Sequence, residues 1–541
     1  MKKKFILFLA VLLLGIFLRF YQLNNIPNGI DIDEASQGYD AYSLLKTGKD
    51  RYGGVFPVFM RSFGNYQSPL YTYLTIIPTY FFDLSPFSTR FISALSGVIV
   101  LICTFVLILN SKNTNKFKLA IFAALFIAIS PWTVLFSRTA VEANLALALF
   151  AASVFLFVLA LEKKPWLFVS GCMLLALSTY AYHAERLLSA LFLGGFIWIF
   201  KKSLFNNKRI LVLGIILFFA MQIPQLMLIN TPASKSRIQQ VNYWSNNAFN
   251  EKPEILKDIG IGNEIFVVRK FLAQYVSYFS PKNLFFDADE QVIRSTPDLS
   301  VFYPWMIIPL IFGIKAFLKH RSNQLVRILF LILVISPIPA AVTREPFYTI
   351  RVLPLFWVMT IMISFGTCNI LERIKQSNIR HLLTGIFILF SLSLLYKSYF
   401  ILLKYERMAD FGYYNNLLIN KFDEFKQNKI IVDSSRMNLG IWYFYQKKYD
   451  PEKLQNELSH FVQQGYYSSI EFDEKYKIDN LEIKPINFHT DICKDNIIVG
   501  DSLTISEPQA EDHKLKLIFE IKDLNNKVKF KGYSTDPKAK C

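Results

Sequence analysis

The residues able to do chemistry sit in short polar clusters between long apolar runs. The first cluster is Gly29-Ile30-Asp31-Ile32-Asp33-Glu34-Ala35, followed by an amphipathic stretch to Leu45. Adjacent carboxylates at a helix start can bind a divalent cation, serve as a general base, or cap the helix, because acids favour the first turn on dipole grounds alone. The second cluster is Ser137-Arg138-Thr139-Ala140-Val141-Glu142-Ala143-Asn144. Arg138 and Glu142 are four apart and would share one face if the segment is helical, so a structural ion pair competes evenly with a substrate contact. Tyr182-His183-Ala184-Glu185-Arg186 adds His183 and Arg186. A lone histidine at such a boundary more often packs than ligates. The last cluster, Thr343-Arg344-Glu345-Pro346-Phe347-Tyr348-Thr349-Ile350-Arg351, carries Arg344 and Arg351. Guanidinium groups suit phosphate through planar, bidentate hydrogen bonds. Together the clusters could define a site where a lipid phosphate meets an external nucleophile. A carboxylate would act as general base, and arginines would stabilise the departing phosphate.

The elements that must position these residues are apolar helices. Of 541 residues, 53% are hydrophobic, 18% are charged and 51 are Phe. Soluble domains carry about 25% charged residues, so an ordinary cytosolic enzyme and a disordered chain are both excluded. The net charge is +18, but the cations lie between apolar runs and form no single patch. That pattern points to a lipid bilayer and away from nucleic acid. Five cysteines show no metal spacing; Cys493 and Cys541 lie near the end.

A bilayer-spanning helix needs about 20 apolar residues. The run from Phe5 to Leu18 follows Lys2-Lys3-Lys4 and precedes Arg19-Phe20-Tyr21 with no small-residue cleavage site, so it reads as a retained first helix. Further spans are expected at 87–109, 117–136, 143–161, 166–182, 187–200, 210–229, 301–318, 326–342, 351–371 and 382–401, about eleven in all. The run 70–82, broken by Pro78, reads as an interfacial helix. With the N-terminus inside, the inner connections are rich in Lys and Arg, and Glu162 and Glu372 are their acids. The polar clusters then lie outside, together with 21–86, 230–300 and everything after 401. Lys514-Leu515-Lys516-Leu517 and Val528-Lys529-Phe530-Lys531 alternate like strands, and Asn428–Asp433 reads as a buried strand. The expected fold class is therefore an all-α polytopic membrane protein with a small C-terminal extracytoplasmic α/β domain. Residues 1–401 form the membrane part and 402–541 the outer domain.

The ordered set of motifs resembles the polytopic lipid-linked-sugar glycosyltransferases of the GT-C fold. The resemblance is greatest to bacterial members of glycosyltransferase family 39, which includes protein O-mannosyltransferases and the aminoarabinose transferase of lipid A. It covers about residues 1–450 and rests on Leu18-Arg19-Phe20-Tyr21-Gln22-Leu23, Asp33-Glu34-Ala35, Ser62-Phe63-Gly64-Asn65-Tyr66, Ser68-Pro69-Leu70-Tyr71, Ile129-Ser130-Pro131-Trp132, Ser137-Arg138 and Pro337-Ile338-Pro339-Ala340-Ala341. The resemblance implies that Asp33 is the catalytic carboxylate, with Glu34 beside it, and that Glu142 takes the place of a second acid. Related sequences often carry Lys before the Pro-Leu-Tyr stretch, where this chain has Gln67-Ser68-Pro69. Either the phosphate role passes to Arg344 or Arg351, or the position is unimportant; Gln67 is kept as a candidate substrate contact. The implied donor is a polyprenyl-phosphate sugar, and the acceptor is a hydroxyl of a protein, lipid or glycan. The place of reaction is the outer face of the cytoplasmic membrane. The rival class is a transporter or flippase of a lipid-linked saccharide. That class calls for repeats and for charged or broken helices near the midplane, whereas here the charges gather at one face.

Overall fold

The computed structural model describes residues 2–111, 115–162, 164–235, 261–287, 289–436, 438–472 and 475–540. The middle of the expected outer loop 230–300, and Cys541, lie outside the described residues; Cys493 is disulfide-bonded.

Helix α1 (Lys2–Phe20) leads into an irregular stretch and then α2 (Ile32–Thr47). A hairpin of β1 (Met60–Ser62) and β2 (Asn65–Gln67) follows. Its turn places Phe63 at φ 45° and Gly64 at φ 68°, the paired positive values of a two-residue hairpin turn. Next come α3 (Leu70–Phe82), α4 (Pro86–Leu109), α5 (Lys116–Ile129) and α6 (Pro131–Ser137). Ser85 caps α4 in a reciprocal capping box, with Pro86 at the first helical position. Pro131 has the opposite effect between α5 and α6. It holds Ser130 in an extended conformation, and the two helices meet at 57°.

The helices that follow are α7 (Glu142–Glu162), α8 (Leu167–Ala181), α9 (Glu185–Leu204), α10 (Lys208–Met227), α11 (Gly262–Ser277), α12 (Ile307–Lys319), α13 (Gln324–Ile335), α14 (Leu353–Arg373) and α15 (Ser377–Leu395). Among the described residues, six helical stretches are long and apolar enough to cross a membrane, or seven if α5 and α6 count as one bent span. Each of the eleven expected spans overlies helix, yet the two counts differ for physical reasons. Helices α8 and α12 have only 15 and 13 residues. Helices α9 and α10 run together as one stretch of 43 residues, Glu185–Met227, which covers two expected spans. Helices α12 and α14 cross at backbone contact: a Cβ on Gly313 would lie 2.1 Å from the Met362 carbonyl oxygen, and one on Gly366 would lie 1.7 Å from that of Pro309. Small residues at such a crossing allow the close packing on which apolar helices in lipid depend.

After α15 the chain passes through a π-helical segment, Tyr396–Leu402, and then α16 (Tyr413–Lys421). Strand β3 (Lys429–Val432) is followed by α17 (Gly440–Lys447), β4 (Tyr476–Ile478), β5 (Leu481–Ile483), β6 (Asn496–Gly500), β7 (Lys516–Lys522) and β8 (Val528–Ser534). The sheet order is β4-β5-β3-β6-β8-β7. β3 is parallel to both its neighbours, and the outer pairs are antiparallel. The sheet does not fold on a core of its own alone. Ile30, Ala35, Tyr39, Tyr52 and Leu84 share one buried cluster with Leu418, Ile430, Trp442, Phe444 and Phe530. The segment 30–84 and the C-terminal sheet are thus held together by common apolar burial, which stabilises by roughly 25 cal/mol per Å².

Candidate active site

The site begins at the start of α2. Gly29, at φ 107°, turns the chain so tightly that a Cβ there would lie 2.1 Å from the Phe411 carbonyl oxygen. Asp31 is the N-cap. Its side chain accepts hydrogen bonds from the backbone N–H of Asp33 at 2.7 Å and of Glu34 at 3.1 Å. Glu34 closes the box by accepting from the Asp31 N–H at 3.2 Å. The capping function therefore belongs to Asp31, and Asp33 stands one residue inside the helix.

Glu34 does not face the site as its sequence neighbour does. It is 1% exposed and pairs with Arg90, which donates from Nε and Nη2 at 2.8 Å each. Glu34 also accepts from the backbone N–H of Ala140 at 2.7 Å. Arg90 in turn donates to the carbonyls of Leu23, Pro27 and Gly29. One buried ion pair thus joins α2, α4, the 23–29 stretch and the segment before α7. The carboxylate expected beside Asp33 is thus turned by the capping box into the core, away from the side of α2 that carries Asp33.

Asp33 and Glu142 line one cavity of about 580 Å³, at the end of the helical bundle. Gln67 reaches Asp33 and donates from Nε2 to Oδ1 at 3.2 Å. Asp31, Tyr182, Arg294, Glu345, Tyr348, Asp410 and Trp442 supply the other chemically distinctive groups of the wall. The Trp442 indole N–H donates to the Ile30 carbonyl at 2.8 Å, so α17 braces the turn that leads into α2. Burial first, then the charges of Glu34 and Asp33, push the Asp31 carboxyl well above the usual carboxylate range. Burial also raises the carboxyl of Asp410, against the opposing charge of Arg407. Among the described residues, no group of three or more His, Cys, Asp or Glu is placed to hold a metal ion.

The basic wall is built by a residue the sequence did not single out. Arg294 is 6% exposed and pairs with Asp289 at 3.1 Å and Glu345 at 3.5 Å. Its guanidinium lies over the Tyr348 ring, 3.5 Å from the centroid, and that of Arg351 lies 3.7 Å from the same centroid. Arg351 approaches Glu345 at 3.7 Å and donates to the Thr343 hydroxyl. Asp289 fixes the arrangement by accepting from both the backbone N–H and the hydroxyl of Thr349. Tyr348 is therefore a shared platform for two cations. Arg294 comes from a stretch with no periodicity or charge run to mark it, and only the fold reveals it.

The other expected residues lie elsewhere. Arg138 is fully buried and donates to the carbonyls of Leu18, Arg19 and Ile26, with its guanidinium over Tyr399 and Phe400. It does not share a helix face with Glu142, because residues 138–141 form a turn between α6 and α7. His183 Nε2 is 3.1 Å from the Tyr66 carbonyl oxygen, and Arg186 lies over the Phe59 ring. Neither lines the cavity. Arg344 is exposed, and its carbonyl accepts from Gln274. The cavity thus gathers Asp33 and Glu142, with Gln67 reaching in and Arg351 behind the wall. Glu34, Arg138, His183, Arg186 and Arg344 lie outside it.

The fold is similar to that of solved structures. The structure of ArnT from Cupriavidus metallidurans in the apo state matches with a TM-score of 0.56 at 9% identity, covering 99% of this chain and 98% of that one. ArnT bound to undecaprenyl phosphate gives a TM-score of 0.55 at 10% identity, with the same coverage. The archaeal oligosaccharyltransferase AglB from Archaeoglobus fulgidus, in complex with an inhibitory peptide and a dolichol-phosphate, gives 0.50 at 13% identity, covering 98% of this chain and 74% of that one. No family model and no curated protein matches the sequence. The chain has the GT-C fold.

Proposed function

We propose that this protein is a glycosyltransferase that moves a sugar from a polyprenyl-phosphate donor to an acceptor hydroxyl at the outer face of the cytoplasmic membrane. The observation that carries the reading is the single cavity in which Asp33 and Arg294 meet at the end of an apolar helical bundle. Its volume lies within the usual range of about 300–1,000 Å³ for small-molecule sites. The solved structures of similar fold include one bound to undecaprenyl phosphate and one in complex with a dolichol-phosphate, which supports a lipid-phosphate donor here. The order of the sequence motifs supports a place in or near glycosyltransferase family 39.

In the proposed reaction the acceptor oxygen attacks the anomeric carbon of the sugar. The bond from that carbon to the phosphate oxygen breaks, and polyprenyl phosphate leaves with the bonding pair. The acceptor proton passes to the Asp33 carboxylate. A positioned carboxylate contributes typically 10²–10⁴-fold in this role. Gln67 holds the Asp33 carboxylate in one orientation, and Arg294 neutralises charge on the leaving phosphate, with Arg351 stacked on the far side of Tyr348. Glu142 is placed to hydrogen-bond the acceptor or the sugar. Glu34 is a positioning residue that acts through Arg90 and Ala140. Direct displacement inverts the anomeric centre.

The test is turnover of the purified chain in proteoliposomes. A polyprenyl-phosphate sugar is supplied with acceptor hydroxyls, and release of polyprenyl phosphate is followed. Asp33→Asn is expected to fold and bind donor, yet to release product at least about a hundredfold more slowly. Near-normal release would remove Asp33 as the base. The proposed topology, with residues 402–541 outside, is read by labelling a cysteine introduced at Asn438 in intact cells. Protection until the membrane is broken would overturn it.

A further inference from the structure

A second charged cavity, of about 470 Å³, lies between the end of the last apolar helical stretch and the β7–β8 turn. Arg407, Lys527 and Lys529 line it, together with Glu406, Asp523 and Tyr414. The two acids do not balance the cations in the same way. Asp523 is buried and builds the turn: one oxygen accepts from the backbone N–H of Asn525 and Lys527, and the other pairs with Lys529 at 3.4 Å. Glu406 is exposed on the rim. The Arg407 Nε is buried and has no hydrogen-bond partner among the described residues. Lys527 is exposed, and its ammonium group makes no ion pair among the described residues.

The level of this cavity is set by the helix that leads to it. Tyr396, Ile401 and Tyr405 are exposed large apolar side chains on the final stretch Ser377–Glu406. Exposed tyrosines at the end of a span mark the headgroup region of a bilayer. The cavity opens immediately after Tyr405, and Ala409 is a wall of both this cavity and the candidate active site. We propose that this second cavity binds a phosphate group at the membrane surface, held by Arg407 and Lys527, one wall away from the candidate active site. The group is supplied either by an outer-leaflet lipid headgroup or by a soluble or acceptor-borne phosphate. Its guanidinium and ammonium donors supply the charge-assisted hydrogen bonds that phosphate oxygens accept.

The experiment reads binding without turnover, so its outcome is separate from that of the transferase reading. The full chain is purified in detergent and examined by native mass spectrometry with two probes: phosphatidylglycerol against a phosphatidylcholine background, and inorganic phosphate. Arg407→Gln and Lys527→Gln are each expected to weaken binding roughly fivefold, the effect of one basic side chain near an anionic surface. Lys516→Gln, on the same sheet, is expected to change nothing. Loss confined to phosphatidylglycerol identifies the headgroup, and loss confined to inorganic phosphate identifies a soluble or acceptor-borne source; both carry the proposal. Unchanged binding of both probes in variants that melt like the parent overturns it, as does an equal loss in Lys516→Gln. Should Arg407→Gln fail to fold, Lys527→Gln, on the exposed turn, decides.

Discussion

Exchanging Glu34 for Gln separates structure from chemistry at two adjacent acids. The Glu34 carboxylate accepts four hydrogen bonds: two from Arg90 at 2.8 Å, one from the Ala140 N–H at 2.7 Å and one from the Asp31 N–H at 3.2 Å. Both partners of the pair are at most 1% exposed. Gln removes the charge and turns one acceptor into a donor aimed at other donors. Arg90 keeps three carbonyl acceptors, so its hydrogen bonds partly survive, but its charge is left buried and uncompensated. Removing one partner of such a pair costs about 3–5 kcal/mol. The expectation is therefore a loss of that size in the unfolding free energy of Glu34→Gln, measured by denaturation in a fixed detergent. Asp33→Asn, on the cavity wall, should stay within about 0.5 kcal/mol of the parent. The double variant Glu34→Gln/Arg90→Gln removes both charges of the pair, and its two effects should fail to add by about 0.5–3 kcal/mol. A Glu34→Gln protein that unfolds within about 1 kcal/mol of the parent, yet loses turnover a hundredfold, would refute the assignment and make Glu34 a chemical group.

Arg294→Lys keeps the charge but loses the planar fork and its stacking on Tyr348, and donor affinity should fall about tenfold in a binding titration; Arg344→Lys should leave it unchanged, and parental affinity in Arg294→Lys would defeat the bidentate reading. Asp31→Asn should turn over within about threefold of the parent at neutral pH, because Asn caps as well as Asp and burial beside Glu34 and Asp33 disfavours the charged form of the Asp31 carboxyl; a large loss would show that Asp31 works as an anion. Burial lifts the Asp50 carboxyl to about 6, although Tyr466 and three further groups pull it down. Its stabilising contribution is therefore fully present below the ordinary Asp pKa and is lost as pH rises through about 6. Asp50→Asn should gain about 2 kcal/mol relative to the parent between pH 4 and pH 8 in unfolding measurements, and a pH-independent difference would contradict this.

Local spacing in the sequence led to some of these residues and not to others, and the reason is visible at each. Hydropathy located the helices because burial in lipid demands continuous apolar runs, whatever the neighbours. Alternation located the start of β8, where Phe530 is buried between lysines, but the stretch 514–517 meets only the first two residues of β7, and Leu517 there is exposed. The Asp-Glu pair was legible as a helix start, but which acid caps depended on Asp31, two residues earlier, whose backbone is extended. The spacing of Arg138 and Glu142 predicts a shared face only if the helix is continuous, and the turn at 138–141 breaks it. Periodicity carries information over one or two turns of a helix, and an interruption inside that window removes it.

The arginines show the limit more sharply, because their roles are set by partners far along the chain. Arg19 donates to the carbonyls of Ile127 and Ala128, Arg138 to those of Leu18, Arg19 and Ile26, and Arg90 to Leu23, Pro27 and Gly29. Each satisfies backbone oxygens that would otherwise be buried without donors, at the level where α1 gives way to the loop that leads to Asp31 and α2. A buried guanidinium with five donors suits this task better than any other side chain. Reading every outer arginine as a phosphate ligand therefore overcounts, since the same residue type also closes irregular backbone against the bundle. Arg294 differs from these three in what surrounds it. Its partners are carboxylates and an aromatic face on a cavity wall, so its charge is directed toward space that a ligand can fill. Arg90 also meets a carboxylate, that of Glu34, but inside the closed core; the cavity wall on which Arg294 stands, not the type of partner, sets it apart from the arginines that hold the fold.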